Sequence, residues 1–246
     1  SEGIEGKYYI WTEDELKDTL GTDFGWFSKL YNISKRGNWE DGYNHLHLTN
    51  YADETAKAAG VFNEQFTTRY QEVLSRLSKK RETRVKPGLD DKILASWNGL
   101  LIKGLTDCYR ALGDDSIREL AVKTGNFIFN KMYTGGRLCH SYKEGKATIT
   151  AFLEDYAAVI EGYIGLYQIT FNEAWLHRAA QLADYTVAQF YDETEGFFFF
   201  TDASGESLIA RKKELFDNVI PASNSIMAHN LYVLGKILDR EVYLNL

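Results

Sequence analysis

Carboxylate side chains stand at the start of three strongly apolar segments of this 246-residue chain. They are Asp90 and Asp91, Glu154 and Asp155, and Asp217. Two carboxylates on opposite sides of a bound sugar can act as general acid and general base, and their separation decides between retention and inversion. These five residues are therefore the candidate catalytic groups. Each one alone also has a structural alternative, because a carboxylate at a helix N-terminus caps the helix and is stabilised by its dipole.

Aromatic, amide and hydroxyl side chains lie beside these acids and are the candidate substrate-binding groups. They are Trp97, Asn98, Tyr156, Ser223 and Asn224. Aromatic rings could stack on a sugar face, while the amides and the serine could bind its hydroxyl groups. Alternatively, Trp97 and Tyr156 are core residues at helical spacing. Asn98 and Asn224 need partners in either case, since a buried amide without hydrogen bonds is costly.

The histidine, cysteine and glycine patterns indicate no metal site and no cofactor. His45 and His47 could share one strand face as metal ligands, but no third ligand stands at a recognisable spacing, which favours surface or packing roles. Cys108 and Cys139 form neither a CxxC motif nor a disulfide framework. This use of cysteine favours a reducing, cytoplasmic location. No glycine belongs to a phosphate-binding loop.

Composition argues against two kinds of partner. The formal net charge of −7 provides no basic surface for nucleic acid. No apolar stretch approaches the roughly 18 residues of a membrane span, so we expect no membrane partner. With 44% hydrophobic residues and only two prolines, the chain has enough apolar content for a sizeable core and is not expected to be disordered.

The three apolar segments repeat one pattern, in which a polar cluster opens an apolar helix. Their sequences are ILASWNGLLIKGL, AFLEDYAAVIEGYIGLY and IPASNSIMAHNLYVLG, which align on Asn98, Asp155 and Asn224. Polar groups that recur at the same helix end over a repeat longer than a helix pair predict a ring or stack of helical hairpins. In such an architecture the polar ends converge on one cavity. We refer to the three repeated helices as the inner helices.

Other elements separate the inner helices. A helix that starts at Asp114 and one that carries Trp175 to Phe190 are predicted to be outer helices. Arg137 to Tyr142 has strand character between two glycine-containing turns, and Phe197 to Thr201 begins a second hairpin that turns at Ser204-Gly205. The first inner helix is expected to bury one apolar face and to end at Gly113. That face comprises Trp97, Leu100, Leu101, Gly104, Leu105, Cys108 and Leu112.

The first fifty residues differ from the rest. Lys7 to Trp11 reads as a short strand, Thr12 with Glu15 forms a capping box for the following helix, and Asp23 to Tyr31 reads as a second helix. We predict a mainly α fold of the α/α toroid class, with short β-hairpins between helix pairs. The whole chain, 1–246, would be one toroid domain, with 1–50 as an irregular entry segment and 51–246 as helical hairpins.

Four strings, EGKYYIWTEDEL, DDKILASWNGLLI, LEDYA and PASNS, resemble the DUF255 family of YyaL-like, thioredoxin-domain-containing proteins. The resemblance implies a thioredoxin-like domain in the full-length chain. It also implies a toroid similar to N-acylglucosamine 2-epimerases and six-hairpin glycosidases. On this basis the present chain would be an incomplete ring that is catalytically silent by itself, and its exposed helix edges could pair with a second copy.

The sequence therefore predicts a carbohydrate-processing domain, epimerase-like or glycosidase-like, whose full-length protein is an enzyme and whose carboxylates line the rim of the inner helices. Enzymes similar to the 2-epimerases use histidine as acid and base. Here no histidine opens an inner helix: His229 lies within one, and His140 lies on a predicted hairpin. This departure argues against epimerase activity. The alternative is a non-catalytic binding or scaffold module that serves the attached thioredoxin-like domain.

Overall fold

The computed structural model describes residues 3, 5–48, 64–204 and 210–246. The chain divides into two compact units, residues 1–90 and 91–246. The assignment of residues 1–246 to one toroid domain stays a prediction. Within the described ranges, no helix is both long and apolar enough to cross a membrane.

Among its described residues, the first unit packs three α-helices beside a two-stranded sheet. Strand β1 (Ile10–Trp11) pairs antiparallel with β2 (Asn44–His45), and the helices are α1 (Glu13–Leu20), α2 (Phe24–Leu30) and α3 (Glu64–Glu82). The predicted cap of α1 is confirmed, since the Thr12 side chain accepts a hydrogen bond from the backbone N–H of Glu15 at 3.1 Å. The buried core of the unit consists of Trp11, Leu16, Leu20, Phe27, Leu30, Tyr31, Val73 and Leu77.

Over residues 91–204 and 210–246, the second unit contains three inner helices, each followed by an outer helix. The inner helices are α4 (Ala95–Leu112), α6 (Leu153–Thr170) and α8 (Ser223–Leu238), and the outer helices are α5 (Asp115–Phe127), α7 (Glu173–Phe190) and α9 (Glu241–Leu244). Helix α6 packs against both α4 and α8, and each outer helix packs against its own inner helix. The predicted order of inner helix, outer helix, hairpin and inner helix is confirmed.

Short strands connect the helix pairs. Strand β5 (Arg137–Lys143) pairs antiparallel with β3 (Ile93–Leu94), β4 (Tyr133–Thr134) and β6 (Lys146–Thr150), which confirms the first predicted hairpin. Strand β8 (Phe197–Phe198) pairs with the preceding strand β7 (Tyr191–Asp192), a pairing that the sequence did not indicate. The predicted turn at Ser204-Gly205 extends outside the described residues, so the second predicted hairpin stays a prediction.

Small residues set the distance between α4 and α6. A Cβ atom on Gly99 would lie 2.5 Å from the carbonyl carbon of Ala158, and one on Gly165 would lie 2.6 Å from the Thr106 hydroxyl oxygen. Both distances are far below van der Waals contact, so the two helix backbones approach as closely as glycine allows. Helix α6 is consequently buried on nearly all sides.

The predicted buried face of α4 is wrong. Trp97 is 71% exposed and Leu112 is 70% exposed, whereas α4 buries the smaller side chains of Ala95, Ser96, Gly99, Ile102 and Thr106. The reason is packing geometry, because a helix that approaches its neighbour this closely must present small residues at the contact. The predicted C-terminus of α4 is confirmed, since Gly113 adopts the left-handed conformation and donates a hydrogen bond to the Tyr109 carbonyl.

Candidate active site

The centre of the candidate site is Asp155, which is fully buried in the first turn of α6. Its Oδ1 accepts a hydrogen bond from the backbone N–H of Ser96 at 2.9 Å. Its Oδ2 accepts one from the backbone N–H of Phe152 at 2.9 Å and lies 2.8 Å from Nδ1 of His140. One carboxylate thus holds together the openings of α4 and α6 and orients the imidazole on β5.

His140 is the functional side chain that sequence reasoning did not place at an inner helix. Its side chain is 17% exposed, and its ring packs edge-on against Phe152 at 5.1 Å between centroids. The hydrogen bond to Asp155 raises the pKa of His140, the charges of Asp155 and Glu154 add to this effect, and burial opposes it. Because Nδ1–H points at a carboxylate, Nε2 is the nitrogen left for a ligand.

The pairing of strands explains how His140 reaches α6. Cys139 on β5 lies opposite Thr150 on β6, and α6 begins three residues after Thr150. The next residue of β5 therefore lies beside the opening of α6. A hairpin that directly precedes an inner helix was the available signal, but the sequence did not indicate the strand register.

Glu154 is the third residue of the cluster that also contains Asp155 and His140, and its surroundings differ from those of Asp155. It is half-buried, and within the described residues its carboxylate receives no hydrogen bond. Burial raises the pKa of Glu154, and the negative charges of Asp155 and Glu214 raise it further. Glu154 therefore retains its proton to higher pH than a free glutamic acid, whereas Asp155 is surrounded by hydrogen-bond donors.

His140, Glu154 and Asp155 each offer one nitrogen or oxygen atom, and these atoms lie within 4.8 Å of one another. Such a set has the chemistry of a cation site. However, the nitrogen Nδ1 of His140 and both carboxylate oxygens of Asp155 already take part in hydrogen bonds. A bound metal ion would have to replace some of these bonds, so the arrangement suits proton transfer better.

The opening of α8 carries a second polar group. Asn224 Oδ1 accepts from the backbone N–H of Phe198 at 2.8 Å, and its Nδ2 donates to the carbonyls of Phe198 and Glu214. The Ser223 hydroxyl donates to the Glu214 carboxylate at 2.8 Å. Asp217 accepts from the backbone N–H of Ala222 at 2.7 Å. Asn224 thus fastens the second hairpin to α8, and Asp217 binds the backbone just before the helix.

Three further sequence-predicted residues make contacts of their own or are exposed. Asp91 is exposed and forms an ion pair with Lys143 at 2.7 Å, and this bond lowers the Asp91 pKa. Asn98 donates to the Leu94 carbonyl at 2.8 Å, and Asp90 is exposed within the first unit.

The two aromatic candidates have opposite surroundings. Trp97 is largely exposed in the first turn of α4. Tyr156 is fully buried and accepts a hydrogen bond from the backbone N–H of Leu138 at 3.0 Å. The structure therefore brings Glu154 and Asp155 together with His140, which the sequence had not singled out.

The helical fold with its short strands is that of α/α toroids. The α-1,6-mannanase of a Salegentibacter species, solved as an inactive variant in complex with α-1,6-mannotriose, matches with a TM-score of 0.51 and 12% identity, over 95% of this chain and 67% of that chain. The cellobiose 2-epimerase of Spirochaeta thermophila matches with a TM-score of 0.50 and 10% identity, over 62% of this chain and 40% of that chain. Identities this low show the fold alone.

In sequence, the chain is related to spermatogenesis-associated protein 20 of Homo sapiens. The two are 32% identical over 257 residues, which cover 92% of this chain and 33% of the human protein. The chain thus spans about a third of the length of the curated relatives it matches. No family model matches the chain, so membership of the DUF255 family stays a prediction.

Proposed function

We propose that residues 91–246 form a carbohydrate-processing unit in which His140 and Glu154 transfer protons and Asp155 orients the imidazole. The observation that carries this proposal is the 2.8 Å contact between a fully buried carboxylate and a partly accessible imidazole. A histidine oriented in this way can accept and donate protons near neutral pH. The toroid fold supports the proposal, because a mannanase and a cellobiose 2-epimerase share it.

The two proton-transfer groups suit different steps. His140 holds Nδ1–H toward Asp155, which leaves Nε2 to take a proton from a substrate. Glu154 has a raised pKa because it is partly buried, so it can hold and donate a proton. Both 2-epimerisation and glycosidic bond cleavage require one group that accepts a proton and one that donates it. The position of His140 removes the sequence argument against histidine chemistry.

The other rim residues have supporting roles in this proposal. Trp97 is exposed in the first turn of α4 and provides an aromatic face on which a sugar ring can stack. Asn98 and Asn224 bind backbone groups, which keeps the openings of the inner helices in place. Ser223 holds Glu214, and Tyr156 supports β5 from the core.

Saturation-transfer NMR with α-1,6-mannotriose and cellobiose tests the proposal on the 246-residue chain. We expect at least one sugar to receive saturation from the wild-type protein. The signal should fall strongly in Glu154→Gln and in His140→Ala, since each variant removes one proton-transfer group. Glu193→Gln, on the exposed turn between β7 and β8, is the matched control and should bind like the wild type.

Two results would contradict the proposed function. The first is a wild-type protein that transfers saturation to neither sugar. The second is a signal that both site variants retain at the wild-type level, because the sugar would then bind elsewhere. Circular dichroism spectra of all variants exclude loss of fold as the cause of a lost signal.

A scaffold role is the second candidate, and a specific observation favours it. The segment before α8 exposes large apolar side chains, with Phe216 at 87% and Val219 at 93% exposure. Exposed apolar clusters often mark protein-binding surfaces. We propose that this segment contacts the thioredoxin-like domain that the family resemblance implies for the full-length protein. Titration of the isolated thioredoxin-like domain against wild-type protein and Phe216→Ser tests this, and equal or absent binding would exclude the role.

A further inference from the structure

Glu214 is an acidic residue that belongs to none of the repeated sequence patterns, and its side chain is held firmly. Its Oε2 accepts a hydrogen bond from the Ser223 hydroxyl at 2.8 Å and lies 3.3 Å from the Ser223 backbone nitrogen. Its backbone carbonyl accepts from Nδ2 of Asn224 at 2.9 Å. Two donors directed at one carboxylate oxygen fix its orientation.

The three residues before Glu214 are basic, and they attach this segment to the second hairpin. Arg211 lies over the Phe199 ring at 4.2 Å, and Lys213 lies over the same ring at 4.6 Å. Lys212 lies over the Phe200 ring at 4.9 Å. Cation–π contacts of this kind stabilise neighbouring strands. The segment that carries Glu214 is therefore positioned by the protein and is not a free loop.

A row of backbone hydrogen bonds places Glu214 and Glu154 at the same edge of the unit. The N–H of Leu153 donates to the Phe200 carbonyl at 3.0 Å, and the N–H of Phe200 donates to the Lys212 carbonyl at 2.8 Å. Leu153 immediately precedes Glu154, and Lys212 stands two residues before Glu214. The two carboxylates thus project from adjacent segments at the openings of neighbouring inner helices.

The electrostatics agree with this geometry. The negative charge of Glu214 contributes to the raised pKa of Glu154, after burial and the charge of Asp155. Lys212 acts in the opposite sense. The two glutamates therefore differ in their surroundings, since burial and nearby negative charges raise the Glu154 pKa, while the Glu214 carboxylate accepts hydrogen bonds from Ser223. Pairs of carboxylates in such contrasting environments divide acid and base roles.

We propose that Glu214 is the second carboxylate of the sugar site, where it accepts hydrogen bonds from sugar hydroxyl groups opposite Glu154. This inference rests on the proposed function and adds a specificity-determining residue to it. Asp217, the acid that the sequence pattern favoured at this helix, instead binds the backbone N–H of Ala222 and the Ser225 hydroxyl.

Glu214→Gln is the variant that tests the inference, because an amide oxygen can still accept from Ser223 while the charge is lost. The first measurement is a carboxyl-carbon NMR titration of Glu154, which needs no ligand. We expect the Glu154 midpoint to fall by about half a pH unit or more in Glu214→Gln, because this variant removes the Coulomb repulsion of a nearby negative charge. Glu193→Gln removes one charge from an exposed turn and should leave the midpoint unchanged.

The second measurement is the affinity for α-1,6-mannotriose. We expect Glu214→Gln to weaken binding by about tenfold or more, the usual effect of losing a charge-assisted hydrogen bond. If the Glu154 midpoint stays at the wild-type value in Glu214→Gln, the inference is overturned, even if the affinity for the sugar changes. Unchanged sugar affinity overturns it too, while the proposed function stands.

A third outcome concerns the proposed function itself. Suppose that the Glu154 midpoint falls in Glu214→Gln although the wild-type chain binds no sugar. In that case the two glutamates are neighbours, but their role in sugar binding is refuted. The proposed function is refuted with it. A purely structural role for Glu214 as a helix cap predicts lower thermal stability with unchanged sugar affinity. The affinity measurement therefore separates capping from participation in the site.

Discussion

Replacing Asp155 by alanine should destabilise the second unit more than any change at the other predicted acids. The carboxylate is fully buried and accepts hydrogen bonds from the backbone N–H groups of Ser96 and Phe152 and from the His140 ring. Alanine leaves all three donors without this acceptor. Because one carboxylate joins the openings of α4 and α6, the loss is expected to loosen both helices together.

The magnitude follows from the number of donors that water cannot reach. An unsatisfied buried donor costs about 1–3 kcal/mol. The His140 ring is partly exposed and can be rehydrated, so the two backbone N–H groups determine the loss. Phe152 is only half-buried and regains part of its solvation, whereas Ser96 is buried. We therefore expect a loss of about 2–4 kcal/mol in the free energy of unfolding of the second unit.

Hydrogen exchange followed by mass spectrometry is the suitable assay, because it reports the two units separately. Peptides from α4 and α6 should exchange faster by the factor that corresponds to this free energy, and peptides from α3 in the first unit provide an internal reference. Asp91→Ala is the matched control, since Asp91 is exposed and makes an ion pair with Lys143 at the surface. That variant should exchange like the wild type.

The reasoning would be refuted by a loss below about 1 kcal/mol in Asp155→Ala, the value expected of an ordinary exposed cap. It would equally be refuted by uniform acceleration over both units. The first result would mean that water replaces the carboxylate at the two N–H groups. The second would mean that the effect is not local to the openings of α4 and α6.

Two further predictions concern helix packing and pH. Gly99→Ala should destabilise the second unit by about 1–3 kcal/mol, because its Cβ would lie 2.5 Å from the Ala158 carbonyl carbon. Gly104→Ala is the control: no atom lies within 4 Å of the added Cβ, so this variant should stabilise the unit by about 0.5–1 kcal/mol. Thermal melts of the two variants test both values. The pKa of His140 is higher in the folded protein than its value of about 6.5 in the unfolded chain. The hydrogen bond to Asp155 therefore stabilises the fold fully at pH values below about 6.5. This stabilisation is lost as the pH rises through the pKa of the folded state. Urea midpoints at about pH 5.5 and about pH 8.5 should differ less in His140→Asn than in the wild type, and an unchanged difference would contradict the assignment.

Apolar periodicity was a good predictor of where helices lie and a poor predictor of which face is buried. The pattern located α4 and its end at Gly113. It failed on the face of α4, because large apolar residues such as Trp97 and Leu112 remain exposed while Gly99 lies at the helix contact. Side-chain volume at the contact decides how closely two helices approach, and hydrophobicity does not report it.

The sequence by itself determined the inner and outer helices, the first hairpin and the polar residues at the helix openings, because these depend on local spacing and on turn and cap residues. It singled out Glu154 and Asp155 but had no means to relate them to His140 or Glu214. Those contacts depend on the register of β5 against β6 and on the pairing of residue 200 with residue 212. Register and inter-segment pairing arise from the packing of the whole unit. Only the tertiary structure could therefore bring two of the helix-opening acids together with a histidine in one cluster.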